Sequence, residues 1–463
     1  KIQDVGGYFG GAVAVDNDTI VASAPSVNKV YIYRRSGTGW TSTWGLEATI
    51  TPPAGTSGSW FGGSVAVDGN LLAIGAPDFI VNTTASQGQV FIYERSGTTW
   101  TLAETINVPN ADSGQTISFG GSVSLNQTTL VVGGPMYSTQ TGVAYVYVEN
   151  AGTWTLEQRM QGTQQNEYFG SSVAVNGDNL LIGSPFKDRN NGTIVDTGEI
   201  GYWTRSMGTW TAQQVIYTNV ANTLFGNSVA ITTNGLSIGG LKGFNNNAGA
   251  VCPFTANLGT WQGGACYASP DPEGSAEFGY SVGISGTKAV VGEPYKTVGG
   301  NAYQGRIHTY DLASGFTLVR SMSSVGGLQD ESLGEAVAVD GDTMVAGAPG
   351  YLQVNHPYNQ LGGATDGALF VFQDYTTTAA GAVVSGRVRT SNGAGLKNAK
   401  VTLTDSQGTT RTVSTGSFGS FRFENIPVGQ DYVLTVGSKR YRFSPQTISL
   451  TADLTGLEIT AGR

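Results

Sequence analysis

Short apolar stretches alternate with polar ones along most of the chain, and glycine breaks them at close intervals. FGGSVAVDGNLLAIGAP, residues 61–77, holds the pattern in its plainest form. SVAV alternates with the period of two that a half-buried strand requires. Asp68-Gly69 supplies a tight turn, because glycine at the second turn position takes positive φ without strain. LLAI is a continuous apolar strand, and Pro77 stops it by withholding a ladder donor.

The same stretch recurs with Phe9, Phe61, Phe119, Phe169, Phe225, Phe278 and Leu333 in the lead position, at intervals of 50 to 58 residues. Each copy has a Gly after the lead residue and a second strand ending in a motif such as SAP, GAP, GSP or GEP. The clearest turns besides Asp68-Gly69 are Asn176-Gly177, Ser285-Gly286 and Asp340-Gly341, and Pro135, Pro185, Pro294 and Pro349 repeat the stop. A third strand (KVYIY, QVFIY, VAYVYV, RIHTY, ALFVF) and a Trp-led fourth complete the unit. Four antiparallel strands repeated seven times cannot bury both faces within one unit, so the units stack around an axis. The pattern predicts an all-β fold, a seven-bladed β-propeller over residues 1–375. Trp40, Trp100, Trp154, Trp210 and Trp261 are read as packing between blades. Blade seven has three strands of its own. Either Lys1 to Gln3 close it as a stub, or a neighbouring chain donates the missing strand; the stub is the favoured reading.

These lead motifs and Gly-Ala-Pro stops resemble the FG-GAP repeats of integrin alpha-chain heads and of many secreted bacterial proteins. The resemblance implies the propeller and an extracellular setting. It does not carry over the Asp-rich calcium loops of integrin-type repeats, since the first two strands here are joined by turns of two or three residues.

After a linker at 376–382 the language changes. VSGRVRTSNGAGLKNAKVTLTDSQG, GSFRFENIPVG, YVLTV and TISLTADLTGLEITAG read as about seven short strands over 383–463. This stretch resembles the carboxypeptidase-regulatory-like, transthyretin-type β-sandwich, which implies a spacer or docking unit and no peptidase activity. Phe418-Gly419 does not begin an eighth blade, because no second strand with a stop follows it. Charge separates the two modules. Residues 380–463 hold ten Lys or Arg against five Asp or Glu, which leaves fourteen basic and twenty-eight acidic residues before them. Opposite fields favour contact within one chain or head-to-tail between chains, and a head-to-tail contact that does not close builds a filament.

The two cysteines, Cys252 and Cys266, are equidistant from Gly259 in a predicted hairpin, so they are expected to face each other as a disulfide, in keeping with an oxidising compartment. A chain starting at Lys1 is expected to have lost a targeting peptide. No apolar run reaches the length of a membrane span, so no transmembrane segment is expected. Net charge of −9 with dispersed Lys and Arg argues against nucleic acid.

Catalytic groups are sparse. His308 lies inside RIHTY and His356 in the loop YLQVNHPYNQLGG, and neither is expected to take part in a mechanism. G-x-S-x-G occurs at Ser237 and Ser281, both in repeat strands and not on a strand-turn-helix elbow. The best metal candidate is KDRNNGTIVDTGE, where Asp188, Asn190, Asp196 and Glu199 offer the oxygen ligands calcium prefers. A solvated polar loop is the competing reading. No other cofactor is implied. Asn17, Asn82, Asn126 and Asn191 begin N-x-[ST] triplets, which a Thr-rich chain produces by chance.

The expected function is a secreted, non-enzymatic structural or adhesive scaffold at a cell surface, as a homo-oligomer or homopolymer. The alternative is a propeller that binds a glycan or protein across one mouth, which exposed aromatics in PMYSTQTG, PYKTVGGNAYQG and PGYLQVNHPYNQ would support.

Overall fold

The computed structural model describes residues 1–3, 6–37, 42–54, 59–81, 84, 86–232, 235–257, 260–263, 265–324, 326–350, 367–373, 382–405, 410–426, 430–450 and 454–462. The chain divides into two compact units at Gln373/Asp374.

Among the described residues, the first unit is a cycle of seven antiparallel sheets. Sheet two shows the plan: Ser64–Asp68, Leu71–Ala76, Gln89–Ser96 and Thr99–Asn107 pair in chain order. The first strands are neighbours around the cycle, and Val337–Asp340 of sheet seven meets Val13–Asp16 of sheet one. The expected stub is present: Ile2–Gln3 pairs with Ala368–Gln373 as the outer strand of sheet seven. Core side chains gather between consecutive sheets, one apolar cluster at each junction. The lead Phe residues are almost wholly buried there. They meet third-strand aromatics edge-on, as in Phe61 with Phe91 and Phe119 with Tyr145, both at 5.4 Å between ring centres.

Each junction is built from the lead motif. The Gly after every lead residue has φ between 85° and 98°, which lets the chain turn into the first strand. The glycine near the end of the second strand lies against the next sheet's lead glycine. A Cβ on Gly183 would stand 2.0 Å from the Gly226 carbonyl oxygen. Five junctions add a hydroxyl clasp, in which Ser64, Ser122, Ser172, Ser228 and Ser281 donate to the carbonyls of Gly120, Gly170, Gly226, Gly279 and Gly334 at 2.7–2.9 Å. Sheet one exchanges the two positions: Ala12 stands where the serine is expected, and Ser23 takes the glycine position and accepts from the Ala12 N–H at 3.0 Å.

A second set of clasps joins the turns at the far ends of the first strands. Asp16, Asp68, Asn126, Ser285 and Asp340 accept from backbone N–H groups of Gly69, Gln127, Gly177, Gly341 and Asn17 in the following sheet. The turn residues read from the sequence therefore also bond neighbouring sheets. Burial raises the Asp16 carboxyl above the ordinary range, and nearby Asp340 and Asp68 add to this.

Trp100, Trp154 and Trp210 are buried. Trp100 Nε1 donates to Glu47 of the sheet before it, and Trp210 Nε1 to Glu157, each at 2.9 Å. In sheet one the equivalent residue is Trp44, opposite Arg35 as Trp100 is opposite Arg95. Trp40, the residue expected at this place, lies outside the described residues. Trp261 holds the matching strand position, opposite Ala256.

Cys252 and Cys266 form a disulfide, with Cα atoms 4.2 Å apart. The hairpin register is one residue off from a loop centred on Gly259, since Phe254 pairs with Gly263. Farther along, Val251 pairs with Tyr267. The ladder thus shifts by one residue between these pairs, as the outer hairpins of five other sheets do, and the shift brings the cysteines face to face.

The second unit is a sandwich. Ala382–Arg389 lies between Ser420–Ile426 and the parallel Leu454–Thr460. The facing sheet runs Thr410–Ser414, Lys400–Thr404, Gln430–Gly437, Gln446–Leu450. Val384, Val388, Val401, Leu403, Phe421 and Leu434 fill its core.

Candidate functional site

The lead segments of all seven sheets converge on a cavity of about 290 Å³. The residue after each lead glycine lines it: Gly11, Gly63, Gly121, Ser171, Asn227, Tyr280 and Glu335. The small residues of sheets one to three leave that side open, and the larger polar ones stand together on the other. Glu335 is the one carboxylate among the described lining residues. Burial pushes its pKa up to about 7, although the Tyr8 hydroxyl donates to its Oε1.

Tyr280 connects this cavity to a second one. Its ring meets that of Tyr295 edge-on at 5.9 Å. Tyr295 meets Tyr303 at 6.0 Å, nearly perpendicular. Tyr295 and Tyr303 line a pocket of about 410 Å³ with Glu277, Asp330, Asn247, Ser275 and Ser332. Three sheets contribute to it. Asn247 comes from the loop of sheet five, Ser275 and Glu277 from the lead of sheet six, Tyr295 and Tyr303 from its long loop, and Asp330 and Ser332 from the lead of sheet seven.

The backbone aims these side chains. Residues preceding the lead position, Glu277 and Ser332 among them, are left-handed, and Tyr303 has φ 54°. Glu277 N–H donates to Asn247 O, and Ser332 N–H to Tyr303 O, so each lead segment is fastened to the loop of the sheet before it. Tyr303 is 48% exposed. Burial raises the Glu277 carboxyl against the opposing charge of Lys242, whose ammonium lies 5.2 Å over the Tyr280 ring. Glu277 Oε2 is buried with no hydrogen-bond partner among the described residues. The same end of the ring carries half-exposed Trp60, with Tyr8 nearby, and the Tyr168–Phe186 pair at 5.0 Å. Such a surface can stack on flat apolar faces and accept hydrogen bonds from hydroxyls or amines.

Other residues singled out from the sequence lie elsewhere. His308 is fully buried, with Nε2 2.9 Å from Glu293 and Nδ1 2.9 Å from Ser321 Oγ. It fills the third-strand position that Phe91 holds in sheet two, edge-on to Phe278. Ser281 is a junction clasp and Ser237 is buried in its strand. His356, Asn82 and the loop PGYLQVNHPYNQ beyond Gly350 lie outside the described residues. Tyr137 of PMYSTQTG packs under the Arg159 guanidinium, 4.8 Å from its ring centre.

In the calcium candidate, Asp188 Oδ1 accepts from the Asp196 N–H and Oδ2 from Gln164, while Glu199 pairs with Arg189 at 2.7 Å. Asn190 closes a turn by accepting from Thr193. Asp188 and Asp196 adjoin, but Glu199 faces its arginine. No group of three or more His, Cys, Asp or Glu residues that could hold a metal ion gathers among the described residues. None of their helices is long and apolar enough to cross a membrane.

Sequence comparison agrees with the repeat. Residues 44–93, 154–198 and 267–310 match the FG-GAP repeat, and residues 383–461 the carboxypeptidase regulatory-like domain. Both domain types are non-catalytic, and FG-GAP repeats are typical of extracellular proteins. No curated protein sequence matches the chain. A crystal structure of Chaetomium thermophilum Sqt1 bound to the N-terminus of the ribosomal protein L10 is similar over 78% of this chain and 83% of its own. Its identity is 13% and its TM-score 0.43, too low to bear on fold or ligand.

Proposed function

From a chain that carries FG-GAP repeats and a carboxypeptidase regulatory-like domain, and so fits an extracellular adhesion-type protein, we propose a non-enzymatic binding module. Its seven sheets are the blades of one propeller, and it takes a glycan or protein ligand at the end of the ring where the lead segments lie. One observation carries this reading: the pocket of Tyr295, Tyr303, Glu277 and Asp330, built by three successive sheets at a mouth with other exposed aromatics. Tyr303→Asn removes the more exposed of the pocket's two rings and keeps a residue that adopts left-handed backbone readily. On arrays of glycans and extracellular-matrix proteins, the full chain is expected to mark a defined set of spots, and the variant to lose that signal at least about tenfold, as for an aromatic anchor. Equal binding by both proteins would place the ligand site elsewhere.

The charge division supports a second role, self-assembly. The sandwich region has twice as many basic as acidic residues and the ring region the reverse. Head-to-tail contact between copies would pair these fields, and salt would screen it. Negative-stain microscopy of the full chain at low ionic strength is expected to show filaments that disperse in high salt. Single particles under both conditions would remove this role.

A further inference from the structure

We propose that the pocket built by sheets five to seven is a subsite for one neutral pyranose ring, a conclusion that rests on the mouth being the binding surface. The pocket of about 410 Å³ has the size of a single sugar unit with its water. Its two tyrosine rings stand nearly at right angles, so one can lie under the C–H face of a sugar while the other closes an edge. Tyr295 packs edge-on against Tyr280, and Tyr303 is open to the ligand.

The polar groups select for hydroxyls. Glu277 and Asp330 present carboxylates, and Ser275, Ser332 and Asn247 add groups that both donate and accept. Glu277 Oε2 has no partner among the described residues. Carboxylates in such a lining accept charge-assisted bonds from sugar hydroxyls. Neighbouring hydroxyls of a pyranose can engage the two carboxylates together.

The same lining excludes acidic sugars. Among the described residues it holds two carboxylates and no Lys or Arg, and Lys242 lies outside it, over the Tyr280 ring. Uronic, sialic or sulfated units would therefore meet like charge. An ammonium would satisfy the carboxylates as well, but would leave the serine and asparagine acceptors and donors without the several hydroxyls that match them.

The test is saturation-transfer NMR on the full chain with the methyl pyranosides of glucose, galactose and mannose, beside glucuronate, glucosamine and Nα-acetyl-lysine methylamide. At least one neutral pyranoside is expected to receive saturation. Glu277→Gln and Tyr303→Asn should each cut that transfer at least fivefold at a melting temperature no lower than the parent's, and glucuronate should give none. An amine probe binding tenfold tighter than every neutral sugar would overturn the assignment in favour of a cation site. No transfer to any neutral sugar would also overturn it. The array separates the two levels: a protein ligand lost in Tyr303→Asn would then keep the mouth and drop the sugar, while no ligand at all would drop both.

Discussion

Above pH 7 the Glu335→Gln variant is expected to be more stable than the parent protein by roughly 3 kcal/mol, and the two should converge below about pH 4.5. The Glu335 carboxyl titrates near 7 in the folded ring because burial disfavours its charge, against an ordinary value of 4.5. The folded state therefore holds this proton more tightly than the unfolded chain. Stability falls as pH rises from the unfolded value through the folded one, and the full cost is present once the group ionises in both states. Glutamine keeps the shape and an acceptor for Tyr8 without the charge. Asp16 and Glu277 also have raised values and add pH dependence of the same sign, so the difference between variant and parent isolates Glu335. Thermal unfolding from pH 4 to 8.5 measures it. Parallel curves for the two proteins would show that Glu335 is hydrated and ionised in the fold.

Gly183→Ala should cost at least about 3 kcal/mol, because the new methyl would overlap the backbone of the next sheet and not a side chain that could rotate away. Its Cβ would meet the Gly226 carbonyl oxygen at 2.0 Å and Ser172 Oγ at 2.4 Å. The same overlap, at 1.9 to 2.1 Å, recurs at Gly75, Gly133, Gly240, Gly292 and Gly347. Sheet one shows how a larger residue is admitted: Ser23 occupies this position where its partner is Ala12. Hence Ser172→Ala combined with Gly183→Ser should be clearly more stable than Gly183→Ser alone. Denaturant unfolding of the single and double variants decides the matter. A Gly183→Ala protein as stable as the parent would mean that the junction yields freely.

Much of this architecture was legible in the sequence. The lead Phe is buried wherever it occurs, and the glycine after it is needed for its positive φ, so both must recur with every unit. The turn glycines Gly69, Gly177, Gly286 and Gly341 likewise have the predicted positive φ. What the repeat concealed were relations between units. Asp68 reads as a turn former, and its bond to Gln127, 59 residues on, appears only when the sheets stand side by side. Trp44 takes its place only through its ladder register opposite Arg35. The cysteines were paired from symmetry about one glycine, whereas the fold pairs them through a one-residue shift.

The candidate site lay further from reach. Tyr303 belongs to a loop whose aromatics were noted, yet nothing local ties it to Glu277, Asp330 or Asn247. Short-range chemistry, meaning φ preference, alternation and donor loss at proline, repeats with the sequence and so determined the strands, the turns and the unit length. The pocket, the raised acid Glu335 and the partner of each junction clasp depend on which residues closure of the ring brings within a few ångströms. Burial and Coulomb interaction act through space, and only the tertiary structure decides those distances.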